Sequence, residues 1–220
     1  MELQKCVLGM VFTNCYFLKN KETGELLIID PADAPEKIFQ KVEEMQGRPV
    51  GILLTHGHYD HILAAEAVKE QYQIKIYACA QEQEMLREPS MNMSGYGGKS
   101  TSIKPDVLLH DLEVFTAAGF SIQMLHTPGH TPGSCCYYLK EEGVLFSGDT
   151  LFAGSIGRTD HPGGDYDRLM ESIFSRLMGL DGDTDVIPGH GPHTTIADEK
   201  MKNPFLQPFN LPEEDNQKDD

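Results

Sequence analysis

Four potential metal ligands lie within six residues of one another in the segment Thr55-His56-Gly57-His58-Tyr59-Asp60-His61. The segment follows the apolar, β-branched run of residues 50–54, which predicts a strand. His56 and His58 are two residues apart, a spacing that places side chains on one face of an extended chain. Asp60 and His61 follow where the chain is expected to turn into a helix. One tetrahedral zinc ion cannot use two groups of ligands that point in different directions, so the segment predicts two metals.

Three later segments repeat this pattern, because in each a potential ligand follows an apolar run and lies in a turn rich in glycine, proline or small residues. They are TPGHTPGS (residues 127–134), FSGDT (146–150) and IPGHG (187–191), with His130, Asp149 and His190 as the candidate ligands. Glycine and proline hold such turns in tight conformations while the ligand side chain stays accessible. A single histidine in a loop would be weak evidence, but four such segments together indicate a metal site.

The order HxHxDH, GHTPGS, SGDT and PGHG resembles the metallo-β-lactamase fold superfamily over nearly the whole chain. Within that superfamily, the segments TNCYFL, IIDPA, GSIGRTDHPGGD and TTIADEKMKNPFL are similar to the short, single-domain bacterial relatives of glyoxalase II, the hydroxyacylglutathione hydrolases. The resemblance implies an α/β fold, called α+β in some schemes, in which two mixed sheets pack face to face between outer helices. This four-layer αβ/βα sandwich would carry its active site along one edge.

The resemblance also implies two divalent metal ions with three ligands each and one shared carboxylate. The first ion would be bound by His56, His58 and His130, the second by Asp60, His61 and His190, and both by Asp149. Zinc is the expected metal, although imidazole and carboxylate ligands also accept iron or manganese. A metal lowers the pKa of its bound water to about 7, so a metal-bound hydroxide would attack a carbonyl carbon. Asp60 is also a candidate proton acceptor.

A small-molecule thioester such as an acylated glutathione is the expected substrate. A thiolate leaves without much help from a general acid, because a thiol has a pKa near ~8.5. Full-length glyoxalase II adds a C-terminal helical domain that supplies basic residues to glutathione, whereas about thirty residues follow His190 here and end acidic. Two alternatives stay open: hydrolysis of another small ester or lactone, and oxidation of a persulfide by one non-haem iron, as in related dioxygenases.

Asp30, at the end of the IIDPA segment, is the candidate partner of a ligand imidazole. A metal-binding imidazole usually donates its other N–H to a fixed acceptor, while a turn or helix-cap aspartate is the alternative interpretation. Arg158 is expected either to pair with Asp160 or to face a substrate carboxylate. His161, in the segment HPGGD, is predicted to be an exposed residue outside the site.

Residues 88–105 are rich in Gly, Ser, Asn and Met and show no periodicity, so they predict a long loop. Long loops in compact domains are often lids or binding loops. Tyr96 and Lys99 are therefore the candidate substrate-binding residues of this loop.

Apolar segments and turn residues predict an α/β first half and a strand-rich second half. The first half has predicted strands at residues 6–12, 15–18, 26–29, 50–54 and 74–77, a helix that begins near Pro35, and a helix at about 62–71. The second half has predicted strands at 107–109, 112–115, 120–125, 135–139, 144–146 and 186–187, and a helix at 166–178. Residues 1–210 are predicted to form one domain, and the acidic residues 211–220 a disordered tail.

The formal net charge of −16 predicts that the chain binds neither nucleic acid nor an anionic membrane surface. No apolar run approaches the ~18 residues that a membrane span requires, and the N-terminus lacks the pattern of a secretory signal. The five scattered cysteines form a poor disulfide framework and suit a reducing compartment. A cytoplasmic protein is expected. Nothing in the sequence specifies its oligomeric state.

Overall fold

The first half of the chain forms a six-stranded mixed sheet with an antiparallel and a parallel part. The computed structural model describes residues 1–96 and 100–209. In spatial order the strands are β1 (Glu2–Leu8), β2 (Thr13–Lys19), β3 (Glu25–Ile29), β4 (Arg48–Leu53), β5 (Lys75–Cys79) and β6 (Val107–Leu109). Strands β1 to β3 pair antiparallel, and β3 to β6 pair parallel.

The second half forms another six-stranded sheet and a small hairpin. Its strands in chain order are β7 (Val114–Ala117), β8 (Phe120–His126), β9 (Cys135–Leu139), β10 (Val144–Gly148), β13 (Asp185–Pro188) and β14 (Thr194–Thr195). Their spatial order is β14-β13-β10-β9-β8-β7, and only the β10/β13 pair is parallel. Between β10 and β13, β11 (Leu151–Phe152) and β12 (Ser155–Ile156) form the hairpin.

Helices cover the outer faces of both sheets. They are α1 (Pro35–Met45), α2 (Tyr59–Ile62), α3 (Ala65–Tyr72), α4 (Gln83–Arg87), α5 (Tyr166–Ser172) and α6 (Ile196–Lys202). A 3₁₀ turn (Ala80–Glu82) precedes α4, a π-helical segment (Ile173–Leu177) continues α5, and a second 3₁₀ segment (Pro204–Phe209) follows α6. None of the helices in the described part of the chain is long and apolar enough to span a membrane.

Three apolar cores separate four layers. One lies between the first sheet and helices α1 and α3, one between the two sheets, and one between the second sheet and helices α5 and α6. Strand alternation produces this arrangement. In β3, Leu26 and Ile28 face the helices while Leu27 and Ile29 face the other sheet. The predicted αβ/βα sandwich is therefore confirmed.

Three predicted element boundaries are wrong for local reasons. The first strand ends at Leu8 rather than continuing to Phe12, because Gly9 and Phe12 adopt positive φ and form a turn. The helix predicted at 62–71 begins earlier, inside the ligand segment, and is interrupted where the Ala64 N–H donates to the Pro31 carbonyl instead of continuing the helix. The strand predicted at 112–115 begins two residues later, because Leu112 has a φ of 63°.

Two predicted regions extend beyond the residues that the structure describes. Residues 88–96 and 100–105 contain no helix or strand, as the predicted loop requires, but Lys99 is outside the described residues. The acidic segment 211–220 is outside them as well, so the domain boundary at residue 210 stays a prediction. Helix α6 was not predicted. It begins where the Thr195 hydroxyl accepts a hydrogen bond from the Asp198 N–H.

Candidate metal centre

All four ligand segments follow the carboxyl end of a strand, and the packing of the two sheets brings these ends to one edge. His56 and His58 follow β4, and His130 follows β8. Asp149 follows β10 and His190 follows β13, two parallel neighbours in the second sheet. The antiparallel bridge between Thr13 and His190 joins the two sheets at this edge.

The first cluster consists of the three imidazoles of His56, His58 and His130. Nε2 of His130 lies 2.9 Å from Nδ1 of His58 and 3.3 Å from Nε2 of His56. Two nitrogens bound to one tetrahedral zinc at ~2.0–2.1 Å would be about 3.3 Å apart. All three side chains are buried. The three ring nitrogens therefore converge at the spacing of ligands to one ion.

The second cluster consists of Asp60, His61 and His190. Asp60 and His61 lie on the first turn of helix α2, which begins directly after the extended pair His56 and His58. Nε2 of His61 lies 3.4 Å from Nε2 of His190 and 3.5 Å from Oδ2 of Asp60. His190 and Asp60 are 3.3 Å apart through the same two atoms. These spacings also match those of ligands to one ion.

Asp149 lies between the two clusters and faces both. Its Oδ1 lies 3.4 Å from Nε2 of His61, and its Oδ2 lies 3.6 Å from Nε2 of His130 and 3.4 Å from Nε2 of His190. Oδ1 is buried without a hydrogen-bond partner in the described part of the chain. A Cβ at position 189 would come within 2.3 Å of this oxygen, so only glycine permits the approach of the His190 loop.

The protonation of the two clusters differs. Burial lowers the pKa of His58 to about 3 and also lowers the pKa of His56 and His130, so these rings are neutral. Burial opposes protonation of His61 and His190 too, but the carboxylates of Asp149 and Asp60 outweigh it. They raise the pKa of His61 to about 9 and that of His190 to about 10.

Fixed acceptors orient two of the ligand rings. Asp30 Oδ2 lies 2.9 Å from Nδ1 of His61, and both Asp30 oxygens accept hydrogen bonds from Thr55 at 2.7 and 2.8 Å. Nδ1 of His130 lies 2.7 Å from the Arg158 carbonyl oxygen. In each case the other ring nitrogen, Nε2, is the one that faces the cluster, as metal-binding imidazoles require.

A cleft of about 310 Å³ opens over the two clusters. Besides the candidate ligands it is lined by Val11, Tyr59, Met93, Arg158 and His161. Val11 and Met93 provide an apolar wall, and Arg158 provides a cation. The site can therefore hold a small molecule against a pair of metal-binding clusters.

The family model of the metallo-beta-lactamase superfamily matches residues 8–190, which include every candidate ligand. The chain belongs to this superfamily. Its resemblance to that family, predicted from the four motifs, is confirmed.

Curated relatives of similar length support a metal-dependent hydrolase. The chain is 39% identical over 213 residues to the probable metallo-hydrolase YqgX of Bacillus subtilis (strain 168), covering 96% of this chain and 100% of that protein. It is 38% identical over 196 residues to the hydroxyacylglutathione hydrolase GloC of Haemophilus influenzae, covering 88% of this chain and 92% of that protein.

Two solved structures have closely similar folds. The BLEG-1 B3 metallo-beta-lactamase superposes with a TM-score of 0.88 at 42% identity, covering 93% of this chain and 99% of that one. TTHA1623, solved in a di-iron-bound form, superposes with a TM-score of 0.81 at 35% identity, covering 92% of this chain and all of that one (100%). The fold and the metallo-hydrolase class therefore agree with the clustered ligands, which suggest divalent metals.

The candidate substrate-binding residues differ in their positions. Arg158 lines the cleft and makes a two-pronged ion pair with Asp160, with both N···O distances at 2.7 Å. Tyr96 is 82% exposed and is not among the residues that line the cleft, whereas Met93 of the same loop is. Lys99 lies outside the described residues.

Sequence reasoning missed two residues of the site. His161 was predicted to be an exposed residue outside the site, which is wrong, because it lines the cleft and its ring centroid lies 5.5 Å from that of His58. Its position just after Arg158 was the available signal. Glu82 was not predicted, yet its buried carboxylate contacts two ligand loops, and burial raises its pKa to about 7. No motif in the sequence marks it.

Proposed function

We propose that this protein is a dinuclear metal-dependent hydrolase that cleaves a small thioester such as an acylated glutathione. The observation that carries the proposal is the pair of ligand clusters that share Asp149 under an open cleft. A site that only holds a metal for stability uses up its coordination positions, whereas a catalytic site leaves one accessible. The open cleft over both clusters favours catalysis.

The chemistry of the donors fits two divalent ions. Oδ1 of Asp149, 3.4 Å from Nε2 of His61, is buried with no hydrogen-bond partner among the described residues. Imidazole and carboxylate donors accept zinc, iron and manganese, and we propose zinc as the usual occupant. Bound there, the ions would lower the pKa of a water towards about 7 and polarise a carbonyl oxygen.

The protein's own residues would orient the substrate and receive the proton. Asp60 accepts a hydrogen bond from the Thr13 hydroxyl at 2.8 Å, which holds its carboxylate at the floor of the cleft. We assign Asp60 the role of second-cluster ligand and proton acceptor. Val11 and Met93 would exclude water from the acyl group, and Arg158 would bind a carboxylate of the substrate in competition with Asp160.

Two considerations favour a thioester. A thiolate needs little protonation to leave, and the two histidines with raised pKa, His61 and His190, belong to the proposed metal sites rather than to a free acid. The similarity to the Haemophilus influenzae hydroxyacylglutathione hydrolase supports the same substrate class. Hydrolysis of another small ester or lactone would use the same groups.

A β-lactam is the second candidate substrate class, because the similar BLEG-1 structure is described as a B3 metallo-beta-lactamase. Opening a lactam releases an amine nitrogen, which needs a proton as it leaves. Among the described cleft residues outside the clusters, His161 is the one imidazole and could supply this proton. Loss of lactam hydrolysis alone in His161→Ala would favour this role.

The test combines metal analysis with hydrolysis of S-lactoylglutathione, a β-lactam and simple esters. The purified protein should bind two metal ions per chain and hydrolyse the thioester fastest. His190→Ala should bind one ion and lose most of this activity, whereas the exposed His110→Ala should retain both ions and full activity. One iron per chain with oxygen uptake on glutathione persulfide would instead identify an oxygenase. Unchanged hydrolysis in His190→Ala would show that the second cluster is not needed.

A further inference from the structure

Glu82 is a buried carboxylate that none of the motifs contains. It lies on the 3₁₀ turn after β5 and is 1% exposed. The nearest candidate ligand along the chain, His61, is 21 residues before it. Burying a carboxylate is costly unless its oxygens accept hydrogen bonds. The bonds it makes therefore indicate what the structure gains from it.

Three donors converge on the Glu82 carboxylate from two different loops. Oε1 accepts from the Gly57 N–H at 2.7 Å and from the Thr131 hydroxyl at 2.8 Å, and Oε2 accepts from the Gly133 N–H at 2.7 Å. Gly57 separates His56 from His58, and Thr131 directly follows His130. A single side chain thus joins the two loops that carry all three members of the first cluster.

The two loops are also packed tightly against the segment that carries Glu82. A Cβ at Gly133 would come within 2.3 Å of the Glu82 backbone nitrogen, and one at Gly57 within 3.2 Å of Oε1. The contact at Gly133 leaves room only for glycine, and the contact at Gly57 is tighter than ordinary van der Waals contact. The carboxylate therefore spans a gap whose width is set by direct contact on both sides, and a small shift of either loop would break one of its bonds.

A carboxylate suits this position better than an amide. An ionised carboxylate is an acceptor at both oxygens, whereas glutamine carries an acceptor oxygen and an NH₂ group that only donates. In Glu82→Gln one of the loops would face a donor with a donor. That loop would move or lose its bond, and the distances among the three imidazoles would change with it.

We propose that Glu82 is a positioning residue that sets the separation of the two histidine loops and thereby the geometry and affinity of the first metal site. This inference rests on the proposed metal-binding function. Among the described residues, Glu82 makes no hydrogen bond to helix α2 or to the His190 loop, which carry the second cluster, and Asp30 holds His61 there. Its effect should consequently be selective for the first cluster.

The experiment titrates metal-free wild type, Glu82→Gln and Glu84→Gln with Co²⁺, following the visible d–d bands. Glu84 is exposed on the next turn of the same segment, so its variant is the matched control. We expect Glu82→Gln to bind the first-site ion about 10–100-fold more weakly, with a shifted spectrum, and the second-site ion as before. The control should match wild type. A residue with a merely structural role would lower thermal stability without changing the spectrum of the bound cobalt.

Thr131→Val keeps the inference testable if Glu82→Gln does not fold. It removes one of the three bonds and should shift first-site affinity in the same direction by less, while Thr131→Ser should restore it. Wild-type affinity and spectrum in Glu82→Gln, or in Thr131→Val where Glu82→Gln does not fold, would overturn the role of Glu82 and leave the proposed hydrolase intact. Wild-type protein that binds no cobalt would overturn the metal sites and the inference together.

Discussion

The two ligand clusters meet at Asp149 but differ in burial and charge. The first contains three buried, neutral imidazoles, whereas the second contains a carboxylate, a buried imidazole and His190, whose side chain is 28% exposed. In the metal-free protein, the carboxylates of Asp149 and Asp60 raise the pKa values of His61 and His190 and keep both rings protonated. The first cluster is therefore ready to bind a cation, and the second must release protons to do so.

The clusters also differ in how the protein holds them. Glu82 joins the two loops of the first cluster by accepting hydrogen bonds from Gly57 and Thr131. The second cluster depends on Asp30 at His61 and on Asn14, whose amide donates to the Pro188 and Gly191 carbonyls on either side of His190. Asp30 also reaches the first cluster, through the Thr55 hydroxyl 3.1 Å from Nδ1 of His56, so the supports differ without being fully separate.

Asp149→Asn should produce the largest effect, because the shared carboxylate serves both clusters. Changing a residue behind a ligand costs about 10–100-fold in metal affinity or activity, so we expect thioester hydrolysis to fall by more than about 100-fold. Metal analysis should give fewer than two ions per chain. Asp185→Asn, an exposed change on β13, is the control. Activity within a few-fold of wild type would show that the clusters do not depend on a common ligand.

Asp30→Asn should weaken the second cluster more than the first, because Asp30 contacts His61 directly and His56 only through Thr55. Asp30 has a φ of 50°, which asparagine tolerates, so the backbone can be kept. An amide N–H facing Nδ1 of His61 would move the ring proton to Nε2, the atom that faces the cluster. We expect second-site affinity for Zn²⁺ to fall about 10–100-fold in competition titrations. An equal loss at both sites would contradict this difference in contact.

Asn14→Ala should have a smaller effect on the same cluster. Removing its amide takes one donor from each of two carbonyls of the His190 loop, at a cost of about 1 kcal/mol, because the Pro188 carbonyl keeps its bond from the Tyr16 hydroxyl. The melting temperature should fall by several degrees, and the affinity of the second site for metal should fall modestly. Asn20→Ala is the control. Asn20 follows the other end of β2 and its amide donates to the Ala118 carbonyl, so its loss should lower stability without changing metal affinity.

The smallest effect is a difference in proton release between the two binding events. With pKa values raised to about 9 and 10, His61 and His190 are protonated near pH 7.5 and must lose protons when a metal binds. Second-site affinity should therefore rise as pH increases from 7 towards 9, whereas first-site affinity should change little. Calorimetry in buffers of different ionisation enthalpy measures the release. Equal release for both ions would contradict the difference in charge.

Much of the site could be predicted from sequence because its ligands occur in dense, local patterns. The two-residue spacing of His56 and His58 in an extended segment, and the change to a helix at Asp60, indicated two groups of ligands. The alternation of apolar residues predicted most strands. The errors lie at turns such as Leu112, where a positive φ ends an otherwise regular pattern.

By itself, the sequence determined which residue types could bind metal, the strands that precede them and the family to which the chain belongs. Only the tertiary structure decided how closely the ligands approach one another, that Glu82 joins two of the loops, and that His161 rather than Tyr96 lines the cleft. The physical reason is that spacing along the chain constrains side chains only within one segment. Contacts between segments depend on how the two sheets pack, and no local pattern encodes that packing.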